Sequence, residues 1–292
     1  MTDRVSDGDR SPRAGHLRAE PFCPDPQRLR SGAAGDYRES VRSPRVVDRL
    51  RHHARRPLAR TPYLWDAAML VRKGKRSTLA RRDSAIVIDG FLRSGNTFSV
   101  AAFRVANGSQ VHLGRHLHGA PHVLRAVRFG LPTVVLIRKP GDAVASYLVR
   151  RPTLTPNDAL LEYLDFYRTA WRARDGFVVA PFDQVIRDFG AIITTVNARF
   201  GTSFAPYVPS ADNQAEAFRL VEEMNRLECQ GEVVETHVGR PSEQREVRKK
   251  EVRTMMQRPR TQRLLRDAED MYHRYVSLAS SPKHVGGPLD RD

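Results

Sequence analysis

The chain has 292 residues, of which 40% are hydrophobic, enough to bury the core of one full domain with additional segments. It contains two cysteines, Cys23 and Cys229, which excludes a disulfide-rich scaffold or a cysteine-rich metal site. No run approaches the ~18 apolar residues that a membrane span needs, and the N-terminus lacks the apolar region of a secretory signal. A cytoplasmic protein is therefore the expectation.

The formal net charge of +16 is concentrated near the N-terminus. Residues 1–82 hold 20 lysines and arginines and 9 acidic residues, a net +11, which leaves about +5 for the remaining 210 residues. Residues 1–60 have few apolar runs, so we expect most of this basic leader to be disordered. Residues 62–72 predict a short amphipathic helix, which the basic run 72–82 follows.

The predicted helix and the basic run have two interpretations. They are typical of an anchor on a membrane surface or nucleic acid, or of a helix that docks on the domain beside solvated charges. Docking is favoured because basic runs of this kind are usually solvated. Peripheral membrane contact through the leader stays open, whereas nucleic acid is not an expected partner because the rest of the chain carries only a modest charge.

Strands are predicted where short apolar runs rich in β-branched residues occur, at Ala85–Asp89, Gln110–Leu113, Thr133–Ile137 and Phe177–Ala180. Helical periodicity occurs at Asn96–Asn107, Pro121–Phe129, Asp142–Val149, Asn157–Arg174 and Phe189–Phe200, and then at Gln214–Cys229, Ser242–Gln257 and Thr261–Leu278. Strands that alternate with helices predict a parallel sheet with crossover connections, an α/β fold. We place this domain at residues 83–281, with a helical C-terminal part and a flexible tail at 282–292.

A glycine-bounded turn, Gly90–Thr97, lies between a predicted strand and a predicted helix. Backbone N–H groups in such a turn converge, and the helix N-terminus adds positive potential, so an anion is the expected ligand. The spacing matches the nucleotide-binding P-loop, except that Asn96 replaces the lysine and Arg93 supplies a cation three residues earlier. This combination favours a donor with one 5′ phosphate linked to sulfonate. A plain strand–helix turn is the alternative.

A second motif follows the strand Thr133–Ile137. Arg138 leaves the carboxyl end of this strand, where ligands of open α/β sheets bind. Ser146 lies about two turns into the next helix, so the Arg138 guanidinium and the Ser146 hydroxyl can reach one phosphate. Asp142 is expected to cap the start of that helix. A surface arginine and an incidental serine are the alternative.

Together the two motifs resemble the sulfotransferase family that uses 3′-phosphoadenosine 5′-phosphosulfate (PAPS). Its first motif, P-[KR]-S-G-[TN]-[TS]-[WFY], is similar to Leu92–Phe98, and its second, R-x-P-x-D-x-x-x-S, is matched by Arg138, Pro140, Asp142 and Ser146. The resemblance covers residues 85–205 well, including Ala180–Asp183, where the family often has a Y-E-D-like segment. It is weaker from residue 206 onward.

The resemblance implies a P-loop NTPase-like, three-layer sandwich with a central parallel sheet, and a PAPS donor that needs no metal. It implies donor contacts from the two motifs, at Arg93, Ser94, Gly95, Asn96, Thr97, Phe98, Arg138 and Ser146. Leu92 departs from the family's proline, and Arg93 stays charged, so it can neutralise the leaving phosphate but not protonate it. The family's C-terminal 3′-phosphate loop is not recognisable; Val238–Ser242, with Arg245 and Arg248, is a candidate substitute.

An acceptor hydroxyl must lose a proton as it attacks sulfur, and a neutral imidazole suits that task. The resemblance implies such a histidine after the second strand, where His118 is our first candidate and His116 the second. Flanking His112 and His122 raise the question of zinc, but no cysteine or carboxylate is clustered with them in the sequence. Loop histidines without a chemical role are the remaining alternative.

The resulting hypothesis is transfer of a sulfonate group to a hydroxyl or amine of a small-molecule, carbohydrate or lipid acceptor. His118 would take the acceptor proton, and Arg93 would stabilise charge on the bridging oxygen. A P-loop small-molecule kinase is one rival, although it would need Mg²⁺ and the missing lysine. A basic nucleic-acid or membrane-binding protein with an inactive core is another. The acceptor's identity and the oligomeric state are not indicated by the sequence.

Overall fold

The computed structural model describes residues 62–71, 76–228 and 243–281 of the chain. Most of the predicted leader and the predicted tail at 282–292 lie outside these ranges. The same holds for Cys23, Cys229 and the candidate loop Val238–Ser242.

Within the described ranges, four parallel strands form one sheet in the order β2-β1-β3-β4. The strands are β1 Ile86–Gly90, β2 Leu113–Arg115, β3 Thr133–Ile137 and β4 Val178–Pro181. All residues of β1 and β3 are buried, as the continuous apolar runs of central parallel strands require. The second strand begins at Leu113 rather than at Gln110, because Leu113 is the residue in register with Ile86 while residues 108–110 are exposed.

Helices flank this sheet and make up most of the described chain. They are α1 Pro62–Val71, α2 Asn96–Asn107, α3 Ala120–Arg128, α4 Pro140–Arg150, α5 Pro156–Ala170, α6 Phe182–Arg187, α7 Phe189–Phe200, α8 Ala211–Glu228, α9 Glu243–Met255 and α10 Pro259–Ala279. The predicted helix Asn157–Arg174 ends earlier, at Ala170, and gives way to a 3₁₀ segment Trp171–Gly176. The short helix α6 was not predicted. Within the described ranges, every helix is too short or too polar to cross a bilayer.

The two faces of the sheet are covered by different helices because side chains alternate along a strand. Ile86 and Ile88 of β1 pack in a hydrophobic cluster with α2, α7 and α8. Val135 and Ile137 of β3 pack in a second cluster with α3, α4, α5 and α10. The chain is therefore an α/β protein with an all-parallel sheet between helices.

The direction in which the chain moves across the sheet reverses between β1 and β3. From β1 the chain crosses through α2 to β2 on one side, whereas from β3 it crosses through α4 and α5 to β4 on the other. Such a reversal opens a crevice at the carboxyl ends of the two central strands, where open α/β sheets bind ligands. Both sequence motifs begin at this crevice.

The packed structure extends upstream of residue 83. Trp65 of α1 is buried, and the carboxylate of Asp66 lies 2.9 Å from Nη1 of Arg125 and 3.1 Å from Nη2 of Arg128, both on α3. Leu79 and Ala80 are fully buried in the segment before β1. Helix α1 thus docks on the domain, while residues 72–75 of the basic run lie outside the described ranges.

Gly90→Ala is expected to destabilise the protein, because β1 and β3 approach too closely there for a side chain. An added Cβ would lie 2.4 Å from the carbonyl oxygen and 2.8 Å from Cβ of Leu136. We expect a loss of about 1–3 kcal/mol in the free energy of unfolding, measured by urea denaturation. Gly141→Ala is the control, since a Cβ there meets nothing within 4 Å in helix α4. Equal stability of the two variants would contradict the close approach.

Candidate active site

The turn between β1 and α2 is closed by its own polar groups. The backbone N–H of Ser94 donates to the carbonyl of Phe91 over 3.3 Å, and Gly95 enters α2 with a positive φ of 96°. Asn96 is buried, and its side-chain amide donates to the same Phe91 carbonyl over 3.0 Å. The residue at the P-loop lysine position therefore braces the turn from inside instead of extending a cation from it.

Arg93 links this turn to the second motif. Its Nε donates to the hydroxyl of Ser146 over 3.0 Å, and its carbonyl accepts from Nη1 of Arg138 over 3.1 Å. Arg138 and Ser146 therefore meet the loop across the crevice between β1 and β3. Two guanidinium groups and one hydroxyl converge at this point, which is a donor set suited to phosphate or sulfonate oxygens.

The Arg138 guanidinium packs on an aromatic ring and lies near three carboxylates. The ring of Phe182 lies beneath the guanidinium, with its centroid 4.0 Å from Cζ. Burial lowers the pKa of Arg138, and the nearby Asp142, Asp183 and Glu246 oppose that change. Because an arginine side chain stays protonated in proteins, this site keeps a fixed positive charge at low solvent exposure.

Tyrosines of α5 fix the end of β3 beneath the loop. The hydroxyl of Tyr163 donates to the carbonyl of Arg138 over 2.9 Å, and that of Tyr167 donates to the carbonyl of Leu136 over 2.8 Å. Burial raises the pKa of both tyrosines, so they remain donors. Ser94 is fully buried, and its hydroxyl lies 3.4 Å from that of Tyr167. Its side chain thus supports the loop from the core.

Three described residues other than glycine have a positive φ, and all three are predicted site residues. They are Arg93 at 67°, His116 at 56° and His118 at 52°. This left-handed conformation costs free energy in a residue with a side chain and persists where the surrounding contacts enforce it. Such strain is typical of functional sites. All three side chains line the same cavity.

Hydrogen bonding fixes the tautomer of His118. Its Nδ1 lies 3.0 Å from the carbonyl oxygen of Gly90, which only accepts, so Nδ1 carries the proton. The lone pair of the neutral ring is then at Nε2. The side chain is 24% exposed and lines the cavity. His118 therefore has an unprotonated ring nitrogen, Nε2, in a side chain that lines the cavity.

Asp89, which the sequence reasoning missed, organises the histidines. Its buried carboxylate accepts from the backbone N–H groups of Leu117 and His118 over 3.2 Å each and lies 2.7 Å from Nδ1 of His122. Burial opposes ionisation of Asp89, but the hydrogen bonds of His118 and His122 outweigh it and hold the pKa of Asp89 well below its usual range. An acidic residue inside an apolar strand, directly before the glycine turn, was the available signal.

His122 and His116 differ from His118 in their hydrogen bonds. Nε2 of His122 accepts from the backbone N–H of Ala80 over 3.0 Å, so both its nitrogens are engaged in a fully buried ring. Nδ1 of His116 lies 3.4 Å from Nη1 of Arg115, which can only donate, so the proton of a neutral ring is at Nε2. Of the two candidates for the base, the tautomer favours His118.

A cavity of about 510 Å³ brings the predicted site residues together. Of these residues, Ser94 does not line the cavity. All the others do: Arg93, Gly95, Asn96, Thr97, Phe98, His116, His118, Arg138 and Ser146. Arg150, Arg187 and Lys249 add three more cations, whereas Glu246 is the one carboxylate among the lining residues that are described. This charge balance favours an anionic ligand.

One wall of the cavity is aromatic. The ring of Phe98 packs edge-on against Tyr207, with centroids 6.2 Å apart, and lies 6.1 Å from the ring of Phe218. All three rings line the cavity. Apolar rings beside a cluster of guanidinium groups suit a ligand that joins a flat heterocycle to anionic groups.

Two further expectations concern Asp142 and the candidate 3′-phosphate loop. Asp142 lies in the first turn of α4, but its carboxylate pairs with Arg253 over 2.9 Å and makes no capping hydrogen bond to the helix. The candidate loop Val238–Ser242 lies outside the described ranges, and Arg248 is exposed and does not line the cavity. Among the described residues, no group of three His, Cys, Asp or Glu side chains is placed to hold a metal ion.

Comparisons with known proteins found no matching family model, no matching curated protein and no matching solved structure. Function is therefore argued from the geometry and charge of the site.

Asp89→Asn is expected to lower the free energy of unfolding at neutral pH by about 2–4 kcal/mol, because the charged hydrogen bonds to the histidines and amides are lost. The pKa of Asp89 is lowered in the folded state from an ordinary value of 3.8. Its stabilising contribution is thus complete above that value and is lost as the pH falls below it. Urea denaturation should show the difference between wild type and variant narrowing from about pH 5 to about pH 3. A difference that stays constant with pH would contradict an ionised Asp89.

Proposed function

We propose that this chain is a PAPS-dependent sulfotransferase, with the P-loop NTPase-like, three-layer sandwich of that family. It transfers a sulfonate group to a hydroxyl or amine of a small-molecule, carbohydrate or lipid acceptor. The observation that carries the proposal is the link of Arg93 to both Arg138 and Ser146 across the crevice. This link joins the two anion-binding motifs within one cavity that also contains His118.

The two motifs divide the donor between them. The turn Gly90–Thr97, the N-terminus of α2 and Arg93 face the 5′ phosphosulfate, while Arg138 and Ser146 hold the 3′ phosphate. Phe98 offers an aromatic surface for the base. Arg93 and Ser146 are hydrogen-bonded to each other. Donor binding replaces this bond, so that Arg93 contacts oxygens of the 5′ phosphosulfate and Ser146 contacts oxygens of the 3′ phosphate.

His118 and Arg93 support an in-line transfer. As the acceptor oxygen bonds to sulfur, its proton passes to Nε2 of His118, the nitrogen left basic by the Gly90 contact. The bond between sulfur and the bridging oxygen breaks, and its electron pair stays on the phosphate. Arg93 and the turn's N–H groups stabilise that developing charge. Asp89 holds the His118 backbone and therefore the position of the base.

The main rival is a P-loop kinase for a small molecule. Its loop lysine reaches the β- and γ-phosphates, whereas Asn96 is buried and bonded within the turn. The other rival is a nucleic-acid or membrane-binding protein that acts through the basic leader. Most of this leader lies outside the described ranges. Nucleotide binding to the full chain separates the kinase from the proposed sulfotransferase.

Calorimetry on the full chain is expected to show binding of 3′,5′-adenosine bisphosphate, the desulfonated donor, and much weaker binding of ATP with or without Mg²⁺. Arg138→Lys should weaken the bisphosphate at least about 10-fold, because lysine lacks the fork that contacts phosphate and the plane that stacks on Phe182. Arg168→Lys, at an exposed arginine on α5, is the matched control. Tighter binding of ATP than of the bisphosphate, or equal losses in the two variants, would overturn the proposal.

His118→Ala is expected to lower sulfonate transfer by about 10²–10⁴-fold while bisphosphate binding is retained, because the variant lacks the proton acceptor. Turnover is measured with radiolabelled PAPS against a panel of alcohol, phenol, sugar and amine acceptors. His116→Ala is the comparison, because a neutral His116 has its proton at Nε2 and cannot accept another there. If His118→Ala stays active and His116→Ala is inactive, the base is His116.

A further inference from the structure

Helix α1 lies outside the predicted domain, yet it contacts the turn that follows His118. Gly119 packs against the indole of Trp65 so closely that an added Cβ would lie 2.9 Å from its Nε1, Cε2 and Cζ2 atoms. Trp65 is only 5% exposed. Gly119 has an extended backbone with φ −120°, which any residue adopts, so it is the neighbouring indole that restricts this position to glycine.

A second set of contacts leads from α1 to the same histidine. The rings of Trp65 and His122 lie 6.0 Å apart. His122 contacts Asp89, and Asp89 accepts from the backbone N–H of His118. Asp66, next to Trp65, anchors α1 to α3 through Arg125. Helix α1 therefore reaches His118 directly through Gly119 and indirectly through His122 and Asp89.

We infer that Trp65 is a positioning residue for His118: its indole braces Gly119 and keeps the adjacent histidine in the left-handed conformation that its hydrogen bond to Gly90 requires. This inference rests on the proposed role of His118 as the base. A left-handed histidine persists only where its surroundings enforce it. Without the indole, a cavity opens beside Gly119, and the turn can relax into it.

Relaxation of the turn has a specific chemical consequence. Nδ1 of His118 lies 3.0 Å from the Gly90 carbonyl oxygen and 3.3 Å from Oδ1 of Asp89, and these two acceptors fix the proton on Nδ1. If His118 leaves its φ of 52°, its ring moves away from both acceptors and a neutral ring is free to place its proton on Nε2. A ring with its proton on Nε2 cannot accept one there. Loss of the indole thus affects proton transfer and not the arginines that hold the donor.

The test combines Trp65→Ala with Leu64→Ala, a control at the preceding residue of α1, which is 59% exposed. Trp65→Ala should lower kcat about 10- to 100-fold with the dissociation constant of 3′,5′-adenosine bisphosphate unchanged, and Trp65→Phe should recover most of the loss. The ¹⁵N resonances of the His118 imidazole, assigned with His118→Gln, should move toward the Nε2–H tautomer in Trp65→Ala. Leu64→Ala should match wild type in all three measurements.

Gly119→Ala gives a second route in case Trp65→Ala does not fold. The new methyl group collides with the indole, so kcat and the tautomer should change as in Trp65→Ala. The double variant should be no worse than Trp65→Ala alone, since the collision needs both groups. Unchanged His118 resonances in both single variants would overturn the inference, as would additive losses. The His118 resonances report the tautomer and can be measured without turnover. A tautomer shift in a protein that transfers no sulfonate would therefore refute the proposed function but not this inference.

Discussion

The carboxylate of Asp89 fixes the geometry on which the rest of the candidate site depends. It is fully buried at the end of β1, where it accepts backbone hydrogen bonds from Gly90, Leu117 and His118 and contacts the His122 ring. One charged group therefore joins the glycine turn, the histidine loop and α3. A buried carboxylate is stable only with such a set of donors, so the three segments are held in one arrangement.

The topology of the sheet explains why residues of the glycine turn, Arg138 and His118 line the same cavity. The connections after β1 and β3 leave in opposite directions, which opens the crevice that Arg93 and Arg138 span. The turn after β2 reaches the same edge because β2 pairs with β1 in parallel. Parallel strands place all their carboxyl ends together, so residues far apart in sequence converge without a dedicated scaffold.

Rigid support distinguishes this cavity from an ordinary surface cleft. Tyr163 and Tyr167 donate to the carbonyls of Arg138 and Leu136, Phe182 stacks on the Arg138 guanidinium, and Asn96 closes the glycine turn. Arg93, whose backbone is left-handed, is tied to this framework through Ser146 and Arg138. Groups fixed in this way lose little conformational freedom on binding, which favours recognition of charged ligands.

The local sequence determined the features that depend on neighbouring residues. The apolar runs of β1 and β3, the helical periodicity, and the spacing of the two motifs were readable because each reflects a backbone period or turn of a few residues. Most of the residues that these motifs nominated, from Arg93 and Phe98 to Ser146, line the cavity.

Tertiary structure alone decided the contacts between distant segments. The link of Asp89 to His122, the stacking of Phe182 on Arg138 and the packing of Trp65 on Gly119 each join residues more than 30 positions apart. No periodicity records such pairs, since they arise from strand order and helix docking. The same applies to the tautomers of His116 and His118, which the sequence left equivalent and which different hydrogen-bond partners separate.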